Sequence, residues 1–143
     1  MAASRNFRDF ERRLDRIARR MTAGVELLVQ NVAEEIGDAV VIYTPVDTGY
    51  ARGNWRPSLN APAGAPISVL DPTGQATVAR IVAVARQYRV GQTLYIVNNA
   101  PYIGSLNEGS SPQAPPGFVQ DAIRDGFEAG VRAFAGGVIE ATR

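Results

Sequence analysis

The chain has no cysteine and no histidine among its 143 residues, and all 15 of its basic residues are arginine, so lysine is absent too. Lacking cysteine, it has no disulfides, thiolate nucleophiles or thiolate metal sites. Lacking histidine, it has neither the usual general base near neutral pH nor the commonest metal ligand. Without histidine or lysine, nothing stands ready to activate Ser110 or Ser111 as a nucleophile. No phosphate-cradling glycine motif and no metal-ligand spacing occurs. We therefore expect no catalytic residue, no cofactor and no metal. No stretch approaches the roughly 20 apolar residues of a membrane span. The arginine-rich start lacks the apolar core of a secretory signal, and Asp9, Glu11 and Asp15 argue against a transit peptide.

Carboxylates are the one catalytic resource left. Glu34 and Glu35 are sequence neighbours and point apart on a helix. Asp121 and Asp125 lie one turn apart near the start of a helix, where they complement its dipole. A catalytic pair there would lack a nucleophile and a donor set, so a small carboxylate enzyme is the weakest reading.

What is present suits a single globular domain over residues 1–143, with 45% hydrophobic and 20% charged residues. Residues 1–43 read as one long amphipathic helix. Phe7, Phe10, Leu14, Ile17 and Met21 recur in steps of three and four, and Val25, Leu28, Val32, Ile36 and Val40 continue the stripe. Ser4 is the candidate N-cap, and Gly24 marks a candidate bend. Pro45 disfavours helical geometry at Thr44, so the helix should stop near Tyr43. At about 1.5 Å per residue such a helix outruns a domain of this size, so its front half is expected to pack on something outside the domain.

Seven of the arginines flank that front half: Arg5, Arg8, Arg12, Arg13, Arg16, Arg19 and Arg20. Guanidinium pairs two-pronged with carboxylate or phosphate. The row reads as a solvated face with surface pairs such as Asp9–Arg13, Glu11–Arg16 or Asp15–Arg19, as a contact with an acidic subunit, or as a DNA contact. The whole-chain charge of +1 is too small for a general DNA trap.

Residues 44–116 read as sheet, middle helix and loops. Strands are expected around Asn54–Arg56, at Ile67–Leu70 and at Thr93–Val97. Asp71-Pro72-Thr73 resembles a helix start, and the segment 76–89 fits a helix by spacing or a strand by its β-branched content. Asn98 to Pro116 is a long loop, read either as ordered surface tied down by Tyr102 or as a rigid contact surface. Residues 117–143 are expected to form a closing helix with the stripe Val119, Ile123, Phe127, Val131, Phe134 and Val138. Its glycines require either a close neighbour or a frayed end. The expected fold is α+β: a long N-terminal helix, a small antiparallel sheet of about three strands with a middle helix, and a C-terminal helix.

Two motifs stand out. Thr44-Pro45-Val46-Asp47-Thr48-Gly49 is followed by Arg52-Gly53-Asn54-Trp55. Asn98-Asn99-Ala100-Pro101-Tyr102 leads into Leu106, Gly109, Ser111, Gln113-Ala114-Pro115 and Gly117. Together they resemble the signature of a tail-component family of tailed bacteriophages, the neck, tail-completion or minor-tail-protein-Z-like proteins. The resemblance spans about Val41 to Val119. It departs where the family often has Glu at Asn107 and His at Ser110.

The resemblance implies a structural, non-catalytic virion protein at the head–tail junction, assembled in the host bacterial cytoplasm. It implies a symmetric homo-oligomeric ring, with six copies as the expected number. Its implied partners are neighbouring neck, tail-terminator and tail-tube proteins, with DNA passing through the channel without sequence-specific contact and no membrane. Alternatives are a tail-terminator-type ring protein and a DNA-contacting adaptor that grips phosphates through Arg8, Arg12, Arg13, Arg16, Arg19 and Arg20.

Overall fold

A computed structural model describes residues 2–141. Its spine is α1, an unbroken 42-residue helix over Ala2–Tyr43. The helix passes through Gly24 without interruption and begins ahead of Ser4, which lies inside the helix and not at its cap. It stops where expected. Thr44 Oγ1 donates to Val40 O at 2.6 Å, and the Arg52 guanidinium donates to Ile42 O and Thr44 O, both at 3.0 Å. Carbonyls at the end of the helix thereby gain partners that a further turn would have supplied.

The chain then forms α2 (Tyr50–Gly53), β1 (Trp55–Leu59), α3 (Gln75–Ala85), β2 (Leu94–Asn98), α4 (Ile103–Asn107) and α5 (Phe118–Ala141). The molecule is thus mixed helix and sheet, with a long helix at the start and another at the end. The sheet has two strands, not about three. β1 and β2 pair antiparallel, with Trp55 opposite Asn98 and Leu59 opposite Leu94. Pro57 fits because a two-stranded ribbon has only edges.

The expected strand at Ile67–Leu70 does not form, because its backbone is engaged elsewhere. Asn54 accepts from Ile67 N–H at 2.8 Å and donates to Ile67 O at 3.0 Å. Val69 lies against the Cα of Gly53 so closely that any side chain there would collide with it. Segment 76–89 is helical up to Ala85, and Asn98–Pro116 contains the short helix α4.

The core sits where α1, α3, α5 and the ribbon meet, with Val40, Val41, Trp55, Ile81 and Ala122 packed together. Phe118, at the start of α5, is also fully buried. Of the stripe read for α5, Val119 packs against the core and Phe134 is half-buried, while Ile123, Phe127, Val131 and Val138 are exposed. The face that meets α1 carries the small residues Ala122, Gly126 and Gly130. A Cβ on Gly126 would stand 2.5 Å from the Ile36 Cα, and one on Gly130 would stand 2.5 Å from the Val32 Cα. The glycines that weaken α5 as an isolated helix let it touch the backbone of α1.

Candidate functional site

The two motifs lie together at the end of α1. Thr44 is fully buried, and its Oγ1 accepts from Trp55 Nε1 at 2.8 Å while donating to Val40 O. Pro45 and the exposed Asp47 carry the chain around the turn. Thr48 Oγ1 accepts from Tyr50 N–H at 3.3 Å, starting α2. Gly49 has φ 87° and sits against the backbone of Asp71 and Pro72, a site that excludes a side chain on both counts. Asn54 is fully buried and bonded as described.

In the second motif, Asn98 Nδ2 donates to Ala51 O at 2.8 Å, and its Oδ1 accepts from Ala100 N–H at 2.9 Å. Asn99 Nδ2 donates to Ala63 O at 2.8 Å, pinning the proline-rich loop after β1. Pro101 is exposed, and the Tyr102 ring lies 6.1 Å from that of Tyr50, centroid to centroid. Gln113 reaches back to the first motif. Its Oε1 accepts from Val46 N–H at 2.9 Å and its Nε2 donates to Val46 O at 2.8 Å, so the side chain pairs with that residue much as a strand would. Ser111 Oγ accepts from Gln113 N–H at 3.2 Å. Gly109 takes φ 99° against the ring of Pro116. Ala114 is buried and Pro115 exposed.

The motifs thus enclose a cleft of about 90 Å³ lined by Pro45, Thr48, Tyr50, Tyr102, Ser111 and Gln113. Every buried side-chain polar atom among the described residues has a partner, so the cluster is a set of backbone ties. Asn107 also belongs to it: Oδ1 accepts from Val119 N–H at 2.9 Å, and Nδ2 donates to Gln120 Oε1 at 3.0 Å, holding the start of α5.

Three further side chains, one of them within the first motif, complete the knot. Arg52 adds a bond to Pro72 O at 2.7 Å, and burial lowers its pKa. Asp71 is buried and caps α3. It accepts from Gly74 N–H at 3.1 Å, from Thr77 N–H at 2.8 Å and from Thr77 Oγ1 at 2.7 Å. Burial pushes its carboxyl up, but these bonds outweigh burial and hold it below the ordinary carboxylate range. Arg80 donates to Gly53 O at 2.9 Å. Arg52 stands within the first motif and Asp71-Pro72-Thr73 reads as a helix start, so both left a local signal. The bond from Arg80 to Gly53 is set by tertiary contact, beside a local one to Thr77 Oγ1 at 3.2 Å.

The helix stripe lies apart from this knot. Every residue from 4 to 23 of α1 is exposed. Phe7, Phe10, Leu14, Ile17 and Met21 are between 49% and 67% exposed in the single chain. The interleaved arginines make one ion pair among the described residues, Arg12 with Asp9 at 3.9 Å, and none of the three pairs expected from spacing. Arg8, Arg13, Arg16, Arg19 and Arg20 therefore present free guanidinium groups to solvent.

A second apolar surface lies farther along. A groove of about 580 Å³ runs between the rear of α1, β2 and α5, walled by residues such as Val32, Ile36, Leu94, Ile96 and Phe127. The sequence reading did not reach it, because its walls come from three elements far apart in the chain. At the edge of α5, Tyr43 Oη donates to Asp125 Oδ2 at 2.7 Å, which lowers the Asp125 carboxyl and raises the Tyr43 phenol. Arg124 bridges Asp121 and Asp125, both at 3.1 Å.

Among the described residues no three acidic side chains converge as a metal ion would require, and no helix is long and apolar enough to cross a membrane. The molecule is a mixed helix–sheet chain with a tied loop cluster at the end of α1 and an uncovered front half of that helix. No protein-family model, curated protein or solved structure matches it significantly.

Proposed function

We propose that this chain is a structural subunit of a tailed-bacteriophage neck, joining tail to head as one member of a ring. The observation that carries the reading is the uncovered apolar stripe on the front of α1. A lone subunit holds five large apolar side chains in water on a rigid rod. Burial returns about 25 cal/mol per Å² of apolar surface, so covering the stripe contributes several kcal/mol to assembly. The resemblance of the two motifs supplies the class of particle. Closed cyclic symmetry is the usual arrangement for identical subunits around a channel, and six copies match the symmetry that the resemblance implies. The tied motif cluster supports the same reading, because it holds the Tyr50–Tyr102 surface rigid for a neck, tail-terminator or tail-tube partner.

Removing the gene from the genome that encodes it should leave filled heads and separate tails in electron micrographs, and supplying the chain in trans should restore joined particles. Joined, infectious particles in its absence would overturn the proposal.

A second reading, an adaptor that contacts DNA, draws on the unpaired arginines. It requires duplex binding that weakens steeply with salt.

A further inference from the structure

The stripe on α1 and the groove behind it fit each other, but not within one chain. The stripe is convex, apolar and flanked by seven arginines against three acids, Asp9, Glu11 and Asp15. The groove is concave and apolar. Its α1 wall belongs to the half of the helix that carries Glu26, Glu34, Glu35 and Asp38 and no basic residue. Glu34 is engaged by Arg86 at 3.0 Å, and Glu26 accepts from Val90 N–H at 3.1 Å. Glu35 and Asp38 have no ion pair among the described residues. The helix is therefore polarised, basic on its bare half and acidic on the half beside the groove.

Both halves belong to one uninterrupted helix. Leu14 lies about 21 Å along the axis from Leu28, where the groove begins, at 1.5 Å per residue. A rod without a break cannot turn back to fill its own groove.

We infer that the front half of α1 of one copy seats in the α1–β2–α5 groove of the next, apolar stripe inward and arginines toward the neighbour's acidic half. The contact is head-to-tail, so an open row of copies keeps one free stripe at one end and one free groove at the other until it closes on itself. The inference deepens the ring reading and rests on it for closure; the contact itself stands on the two surfaces. The competing arrangement is a symmetric pairing of two front halves, since steps of three and four also make a short coiled-coil seam. That seam sets seven arginines against seven and leaves the groove empty.

Two variants separate these arrangements. Phe10→Asp spoils the stripe and spares the groove, while Phe127→Asp spoils the groove and spares the stripe. Phe127 is 54% exposed, so its replacement leaves the core intact, and circular dichroism checks that it does. Should Phe127→Asp unfold, Val131→Arg at the same wall takes its place. Native mass spectrometry then reads the mass of each protein and of an equal mixture. Wild type should form a multi-copy species and each variant alone should be monomeric. The mixture should give a one-to-one dimer, twice the monomer mass, and nothing larger, because one intact stripe meets one intact groove and no third site remains. Two monomers in the mixture beside an oligomeric wild type would overturn the head-to-tail contact while leaving a ring standing. A wild type that stays monomeric at tens of micromolar would overturn the contact too, and the gene-removal experiment would then judge the neck reading by itself.

Discussion

Thr44 closes the last turn of α1 and holds the indole of Trp55, both through one hydroxyl in a fully buried site. Thr44→Val keeps the shape and leaves the Trp55 N–H without a partner. An unsatisfied buried donor costs about 1–3 kcal/mol, so the unfolding free energy should fall by that amount, read as a lower urea midpoint with an unchanged slope. Asp71 makes a pH-dependent counterpart. Its folded pKa is depressed, so its stabilisation is complete above the unfolded value of about 3.9 and disappears as pH falls through the lower folded value. Asp71→Asn should therefore be less stable than wild type by a constant amount between pH 5 and 8, and the gap should close below about pH 4. Denaturant titrations across that range check it; a gap that widened in acid would contradict the capping role.

The α1–α5 contact depends on what is missing from α5. Gly126→Ala or Gly130→Ala gains up to about 1 kcal/mol of helix propensity but drives a methyl into the backbone of α1, and overpacking of this kind costs about 1–3 kcal/mol. Both variants should melt at lower temperature than wild type, the net of the two effects. Gly24→Ala, whose added carbon meets nothing within 4 Å, should melt higher. Elements specified by local chemistry were legible in the sequence. The three–four spacing marked α1, and Pro45 marked its end at Tyr43. The alternation of Leu94 and Ile96 marked β2. Where a distant partner decides, local pattern misled. Residues 67–70 look like a strand, but Asn54 and Gly53 claim that backbone. Segment 76–89 was ambiguous until its Asp71 cap and the packing of Ile81 on Gly37 were seen. The α5 stripe did not reveal the face that meets α1, because the small residues there carry no hydrophobic signal.

Across the whole molecule, half of α1 has no intramolecular work. That overhang was legible from helix length against domain size, and the candidate site was legible as two motifs, though not as the mutual ties of Gln113 with Val46 or Asn98 with Ala51. Gln113→Ala should leave the subunit folded, because the side chain is exposed and clamps only one turn, yet lower the yield of joined particles by loosening the Tyr50–Tyr102 surface. Particle counts beside a circular dichroism spectrum measure both. The central claim is that α1 acts through its apolar stripe upon protein, with the arginines choosing the partner. The most direct measurement compares Phe10→Asp with the double reversal Arg12→Glu, Arg13→Glu, scoring incorporation into particles and duplex-DNA binding at two salt concentrations. Phe10→Asp should abolish incorporation, the arginine reversal should weaken it less, and DNA binding should be feeble throughout. Normal incorporation of Phe10→Asp, with loss of both incorporation and a salt-sensitive DNA affinity in the arginine reversal, would contradict the account.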